Sequence, residues 1–436
     1  MKKKVLAAVL TAAMAMSMTS MVSVSAADFS GEDPQLEKSI KILTIWAEDN
    51  DNGILLNKIC QDYKDNVNPN FSWEYEMVSS DDLRQKIATL AASDDLPDLF
   101  AYESGTPLVD LIDADKVVNI SEFMEETGTT DYMNSGAAEL LKGLSGTDAI
   151  YDLPLGLNVE GFWYNKALFE EAGVEAPTTW DEFEDVLAKL QEAGIQPLTT
   201  GGADKWGATR LLNAYAVRAN GNDIMTKAAN GEVAYTDDGL VAAADKVAEW
   251  AEKGYFGEGI TTVDMNSAGS MMMSGKAAIF YNGSWFTQNL NDESQNPAGA
   301  DGIGFFNIPV VDESVSTGTS YSMNCGNILA VDKAKYDEGT EWFLKYFMEN
   351  MGDLAMSELG SVKGYTYTTS VDDMSDYTKL VLDEIDKATE GFAWWEAKMP
   401  SEISTTAQEN VQPLLNGEMT GAEYMQSIQD VYELNN

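Results

Sequence analysis

The chain has 436 residues, 72 of them acidic and 27 basic, giving a net charge of -45; it contains no histidine and two cysteines. So negative a field repels phosphate backbones and anionic lipid surfaces, and without histidine the Ser-His-Asp and Cys-His nucleophile systems, HExxH metal sites and histidine-ligated haem lack their central residue. Two cysteines cannot build a four-cysteine zinc site, while 44% hydrophobic and 10% aromatic content separates the chain from acidic disorder, so it should fold, as roughly two or three domains.

At the amino end, Lys2, Lys3 and Lys4 form a basic region and Val5 to Met21 an apolar, small-residue run. Val24-Ser25-Ala26 or Ser25-Ala26-Ala27 then supplies a small-x-small cleavage site. This predicts a secretory signal peptide over residues 1–27 and a periplasmic, extracellular or cell-surface mature protein. The Ala, Ser, Thr and Met content of the run argues against a membrane anchor, and no cysteine beside the cleavage site offers a lipid attachment point. Cys60, on an apparent helix face, and Cys325, far downstream, read as buried thiols.

The next segments alternate between strand and helix. Ile40 to Trp46 is a short apolar run, as expected of a strand buried on both faces. Leu56, Ile59, Cys60 and Tyr63 recur at helical spacing, and Phe71, Trp73, Tyr75 and Met77 alternate with polar residues. Ser80 opens a helix carrying Leu83, Ile87, Leu90 and Ala91, and Pro97 to Tyr102 delivers a third strand. Such alternation predicts a parallel sheet covered by helices, with ligands beyond the carboxyl ends of the strands, near Trp46 and Tyr102. A second α/β unit starts with the strand Asn158 to Asn165. Thr179-Trp-Asp-Glu182 then forms a capping box, and Phe183, Val186, Leu187 and Leu190 continue the helix up to Gly194. Met271 to Gly275 closes a further helix, and Ala277 to Tyr281 makes a strand running into Asn282-Gly-Ser-Trp285. No internal repeat or low-complexity segment is visible.

Ile45-Trp46, the Leu90 to Phe100 segment, Phe162-Trp-Tyr-Asn-Lys-Ala-Leu-Phe169, Ala172-Gly173, Pro177-Thr-Thr-Trp-Asp-Glu-Phe183, Gly275-Lys-Ala-Ala278 and Gly283-Ser-Trp285 occur in this order. Together they resemble the extracellular solute-binding proteins of carbohydrate-uptake ABC transporters, relatives of maltose-binding protein. The resemblance implies a two-lobed α/β periplasmic-binding-protein fold, type II-like, with a ligand cleft between lobes joined by crossing strands. It implies a first lobe of residues 28–157 and 326–373 and a second of 158–325 and 374–436. It further implies a monomeric, non-enzymatic receptor that needs no cofactor or metal, takes a carbohydrate ligand and delivers it to membrane permease subunits.

A pyranose offers an apolar face for a flat aromatic ring and a hydroxyl edge for carboxylates and amides. On the resemblance, the candidate contacts are Trp46, Glu48, Asp49 and Asp51 after the first strand, Tyr102 and Glu103 after the third, Asn158 on the crossing strand, and Trp206, Trp285, Trp394 and Trp395. Each has a structural rival. A tryptophan in a large α/β protein usually packs in the core, and among 72 acids any one carboxylate is more often a solvated surface group. Trp285 follows Asn282-Gly-Ser, a turn expected to expose a ring at a strand end. Of the adjacent Trp394 and Trp395, one should be buried and the other face the cleft. Trp163 and Trp180 read as structural, and Met271 to Met273 as helix-end packing. Two further classes compete with the sugar receptor: a receptor for polyamines or other cations, which the acidity would suit, and a secreted glycoside hydrolase using two carboxylates.

Overall fold

The computed structural model describes residues 29–435, so the signal-peptide segment lies outside the described residues. Two sheets organise the chain, of four and six strands. In the first, Lys38–Thr44 pairs in parallel with Phe71–Met77 and with Leu99–Tyr102. The alternation expected from the sequence is present, with helices Asp51–Asn66 and Ser80–Ala92 between the strands. The sheet is not wholly parallel, because Ile328–Val331 returns from the far part of the chain and adds an antiparallel edge to Leu99–Tyr102. The first strand also lies earlier than Ile40 to Trp46: the ladder ends at Thr44, whose hydroxyl turns to the Trp46 backbone and breaks the pairing.

The second sheet departs further from a parallel pattern. Its central strand, Asn158–Asn165, pairs antiparallel with Ile279–Gly283, Ile303–Phe306 and Ser320–Asn324. Only Leu198–Thr199 and Glu390–Phe392 join it in parallel pairs. The strand expected from Ala277 to Tyr281 is displaced two residues onward. Thr179 and Glu182 form the capping box of helix Trp180–Glu192.

Each sheet has its own core. One is built from Ile40 to Leu157 and again from Cys325 to Tyr365. The other runs from Phe162 to Ile308 and again from Phe392 to Ile428. The chain therefore leaves the first core, returns and leaves again, while a smaller cluster around Trp163, Phe280 and Tyr377 adjoins the second sheet. Cys60 and Cys325 are buried free thiols, and Trp163, Trp180, Met272 and Met273 are buried, in keeping with their structural reading. Among the described residues no helix is long and apolar enough to cross a membrane.

The two units touch through a short irregular stretch. Thr106 N–H donates to the Ala397 carbonyl over 3.5 Å, the Lys398 ammonium donates to the carbonyls of Gly143 and Leu144, each at 2.5 Å, and Arg84 Nη1 reaches Ser401 Oγ at 3.5 Å. Gly105 (φ 89°) permits this approach: a Cβ there would sit 2.4 Å from the Ala397 carbonyl oxygen.

Candidate functional site

Successive side chains of a strand alternate between faces, so Asn158, Glu160 and Phe162 point the same way. Phe162 belongs to the second core, and the two polar residues extend that face toward the strand's amino end. Register sets Asn324 opposite Asn158 and Ser322 opposite Glu160. Asn158 Nδ2 donates to Asn324 Oδ1 (3.1 Å), Asn324 Nδ2 to Glu160 Oε1 (2.7 Å), and Ser284 Oγ to Asn158 Oδ1 (3.1 Å).

Helix Trp206–Asn220 brings the next layer. Trp206 and Arg210 are four residues apart and share one helix face. Arg210 is only 11% exposed; its Nε lies 3.1 Å from Glu160 Oε2 and its Nη1 2.8 Å from Glu396 Oε2. The first contact is an ion pair without hydrogen-bond alignment, since Nε and Oε2 each lack a directed partner. Burial works against the guanidinium charge, yet the carboxylates of Glu160 and Glu396 hold its pKa above the usual value. Thr209 Oγ1 donates to Glu396. A continuous polar chain thus runs from Ser284 through Asn158, Asn324, Glu160 and Arg210 to Glu396.

Three half-buried tryptophans border this chain. The Arg210 guanidinium carbon sits 5.6 Å from the Trp206 ring centre and 5.3 Å from that of Trp394, within cation–π range. Trp285 is 6.3 Å from Trp206. Rather than projecting from an open turn, Trp285 lies in a short 3-10 segment, Ser284–Phe286, with its ring folded over Gly283, where a Cβ would collide with it. The adjacent Phe286 is buried and anchors that segment. Trp395 is fully buried in the second core, which removes it from the cleft-facing set; consecutive side chains in this irregular stretch point apart, and Trp394 takes the other side.

The remaining candidates lie on the first unit, outside this network. Trp46 is half-buried against the first core, its carbonyl accepting from the Tyr75 hydroxyl at 2.8 Å, and Glu48 and Asp49 are exposed. Asp51 opens helix Asp51–Asn66; burial raises its carboxyl, with the Lys363 ammonium opposing. Lys363 is itself buried, which lowers its pKa to about 8. Tyr102 is a core residue, 6% exposed, its phenol pushed up to about 12 by burial. Glu103 pairs with Arg84, the residue that also reaches Ser401. Among the described residues no group of three or more acidic or cysteine side chains is arranged to hold a metal ion.

A family model described as bacterial extracellular solute-binding protein matches residues 49–353. The chain belongs to that family. Among the relatives of this solute-binding protein is the multiple sugar-binding protein of Streptococcus mutans, 24% identical over 301 residues, which are 67% of each chain. An ABC transporter extracellular-binding protein of Pyrococcus horikoshii is 23% identical over 234 residues, 51% of this chain and 52% of that one. The matched part thus spans about half to two thirds of these curated relatives. Among solved structures, a chitin oligosaccharide binding protein superposes with a TM-score of 0.82 at 23% identity, covering 91% of this chain and 98% of that one. A sugar transporter protein from Bacillus licheniformis in complex with stachyose gives 0.70 at 17% identity, covering 92% and 100%. These likenesses establish the two-lobed α/β fold of the solute-binding proteins.

In this solute-binding protein Glu160, Arg210, Asn324 and Glu396 were not legible as a set from the sequence. Local signals did exist. Glu160 lies two residues beyond Asn158 on the same strand face, Arg210 one helical turn beyond Trp206, and Glu396 beside the tryptophan pair. Only the fold brings these three together with Asn324.

Proposed function

We propose that this protein is an extracytoplasmic receptor for a short carbohydrate, held between its two lobes and passed to an ABC-type permease. One observation carries the reading: three half-buried tryptophan rings gather around a buried chain of amides, carboxylates and a guanidinium, the combination of flat apolar faces and polar edges that a pyranose requires. The names of relatives point the same way, among them proteins that bind multiple sugars and alpha-glucosides. The ligand contacts are Trp206, Trp285, Trp394 and Asn158 on the second lobe, faced by Glu103, Trp46 and the Glu48 to Asp51 loop on the first. The lobes are residues 28–157 with 326–373, and 158–325 with 374–436. Of the carboxylates near the rings, Glu160 and Glu396 are both committed to Arg210, which leaves a polyamine only the Glu48 to Asp51 loop of the other lobe and favours the carbohydrate. No catalytic role is assigned to that pair.

The test is a thermal-shift screen against mono- and oligosaccharides, with polyamines and amino acids as controls. A ligand of the native state must raise the melting temperature by mass action. A shift confined to carbohydrates is expected. Stabilisation by polyamines with none by any saccharide would overturn the assignment.

A further inference from the structure

We propose that Arg210 is the positioning residue of the aromatic site: it holds Trp206 and Trp394 in fixed register through one guanidinium, without itself being the platform on which a ligand rests. Four observations converge on it. Its guanidinium contacts both rings, at 5.6 and 5.3 Å. These rings come from segments nearly two hundred residues apart, Trp206 at the start of a helix and Trp394 in an irregular stretch with no regular backbone ladder of its own. The cation is fixed from two further directions by Glu160, fully buried on the central strand, and by Glu396, which itself accepts from Thr209. Finally, the Glu160 carboxylate is held by Asn324, and so the guanidinium inherits the orientation of the second sheet.

The arrangement needs arginine in particular. A planar guanidinium can lie against aromatic rings while its separate nitrogens address two carboxylates, whereas a lysine ammonium is a point charge that cannot satisfy both geometries. Were Arg210 present only to neutralise Glu160 and Glu396, either cation would serve. The positioning role rests on the carbohydrate reading for its consequence in affinity, and on ring geometry alone for its consequence in the ligand-free protein.

Those two consequences give the test two arms. Arg210→Lys keeps the charge. The expected result is a protein that melts within a few degrees of the native one, with weakened tryptophan bands in its ligand-free near-ultraviolet circular dichroism. It should also show about a tenfold loss of affinity for whichever of raffinose, stachyose, chitotriose and xylotriose the native protein binds. Should Arg210→Lys fail to fold, the variant combining Arg210→Gln with Glu160→Gln and Glu396→Gln, which leaves no charge in this cluster, is expected to show the same spectral loss. Native-like tryptophan bands in either folded variant would overturn the proposal, as would unaltered affinity for a saccharide that the native protein binds. Failure of both to fold would show Arg210 to be structural and overturn it as well. A native protein that binds none of the four saccharides would count against the carbohydrate reading, and the ligand-free spectra would still decide the role of Arg210.

Discussion

Trp206 enters its helix through an unusual bond. Lys205 has φ 67° and ψ -50°, and the Trp206 N–H donates back to the Asp204 carbonyl at 2.7 Å, which together define a γ-turn of the strained hand. A non-glycine residue there costs about 1–3 kcal/mol. The turn survives because its flanks are held: Ala203 N–H donates to the Val263 carbonyl and Asp204 Oδ2 accepts from the Met265 N–H. Lys205→Gly should therefore raise stability by about 1 kcal/mol after the extra chain entropy of glycine is counted, while lowering carbohydrate affinity because the ring is less firmly presented. Paired melts and calorimetric titrations check this, and a variant that loses stability would contradict the strain. For Trp285→Ala the expectation is a larger loss of binding without a gain in stability: affinity lower by about 1–3 kcal/mol, partly restored in Trp285→Phe, with a small change in melting temperature because the ring is only half-buried. Unchanged affinity in a folded Trp285→Ala protein would remove this residue from the site.

Between elements, polar side chains hold the site loops to the scaffold. The loop after strand Leu99–Tyr102 carries Glu103 and is tied down by Ser104, whose hydroxyl donates to Asp152 Oδ2 at 2.9 Å in a fully buried setting. Burial pushes the Asp152 carboxyl up to about 7, the Ser104 bond offsetting part of the rise; Cys325 and Tyr365 lie nearby and are themselves pushed up by burial. With the folded-state pKa raised, the unfolded chain ionises first as pH increases. Stability tied to this group is present at acid pH and lost progressively as pH climbs through the ordinary carboxylate range to about 7. Asp152→Asn stays neutral and keeps an acceptor for Ser104. Its melting temperature relative to the native protein should rise from about pH 4 to about pH 7 and level off above that, which thermal melts across that range would show. A difference independent of pH would mean that Asp152 does not titrate there. The strand leading to Tyr102 was readable from its apolar run, but the partner that restrains the following loop lies on another segment and left no local mark.

At the scale of the molecule, two cores meet through the stretch from Trp394 to Ser401, which supplies both a ring and a carboxylate to the candidate site and contacts to the first unit. Lys398 is central: its ammonium caps carbonyls at the carboxyl end of helix Ser135–Ser145, a favourable place for a cation. Two lobes joined by a few crossings should open and close, with ligand shifting the population toward closure. Lys398→Met is expected to enlarge the ligand-free radius of gyration in small-angle scattering and to weaken binding a few-fold, since closure loses one of its contacts. Saturating carbohydrate should shrink the radius of the native protein. A radius unaffected by both substitution and ligand would exclude this hinge.

The capping box of helix Trp180–Glu192, the central strand Asn158–Asn165 and the alternation of the first sheet were determined by the sequence alone, because each depends on residues within a turn or two of one another. The absence of histidine likewise settled which chemistries were closed before any fold was known. Other features depended on the tertiary structure. It decided that Trp395 packs in a core while Trp394 meets Arg210, and that the second sheet is mainly antiparallel. It also decided that Glu160, Arg210 and Glu396 form one buried ionic group. The physical reason is common to all three. Pairing and burial belong to contacts between residues far apart in the chain, and a buried carboxylate differs from a solvated one only in what the fold has placed beside it.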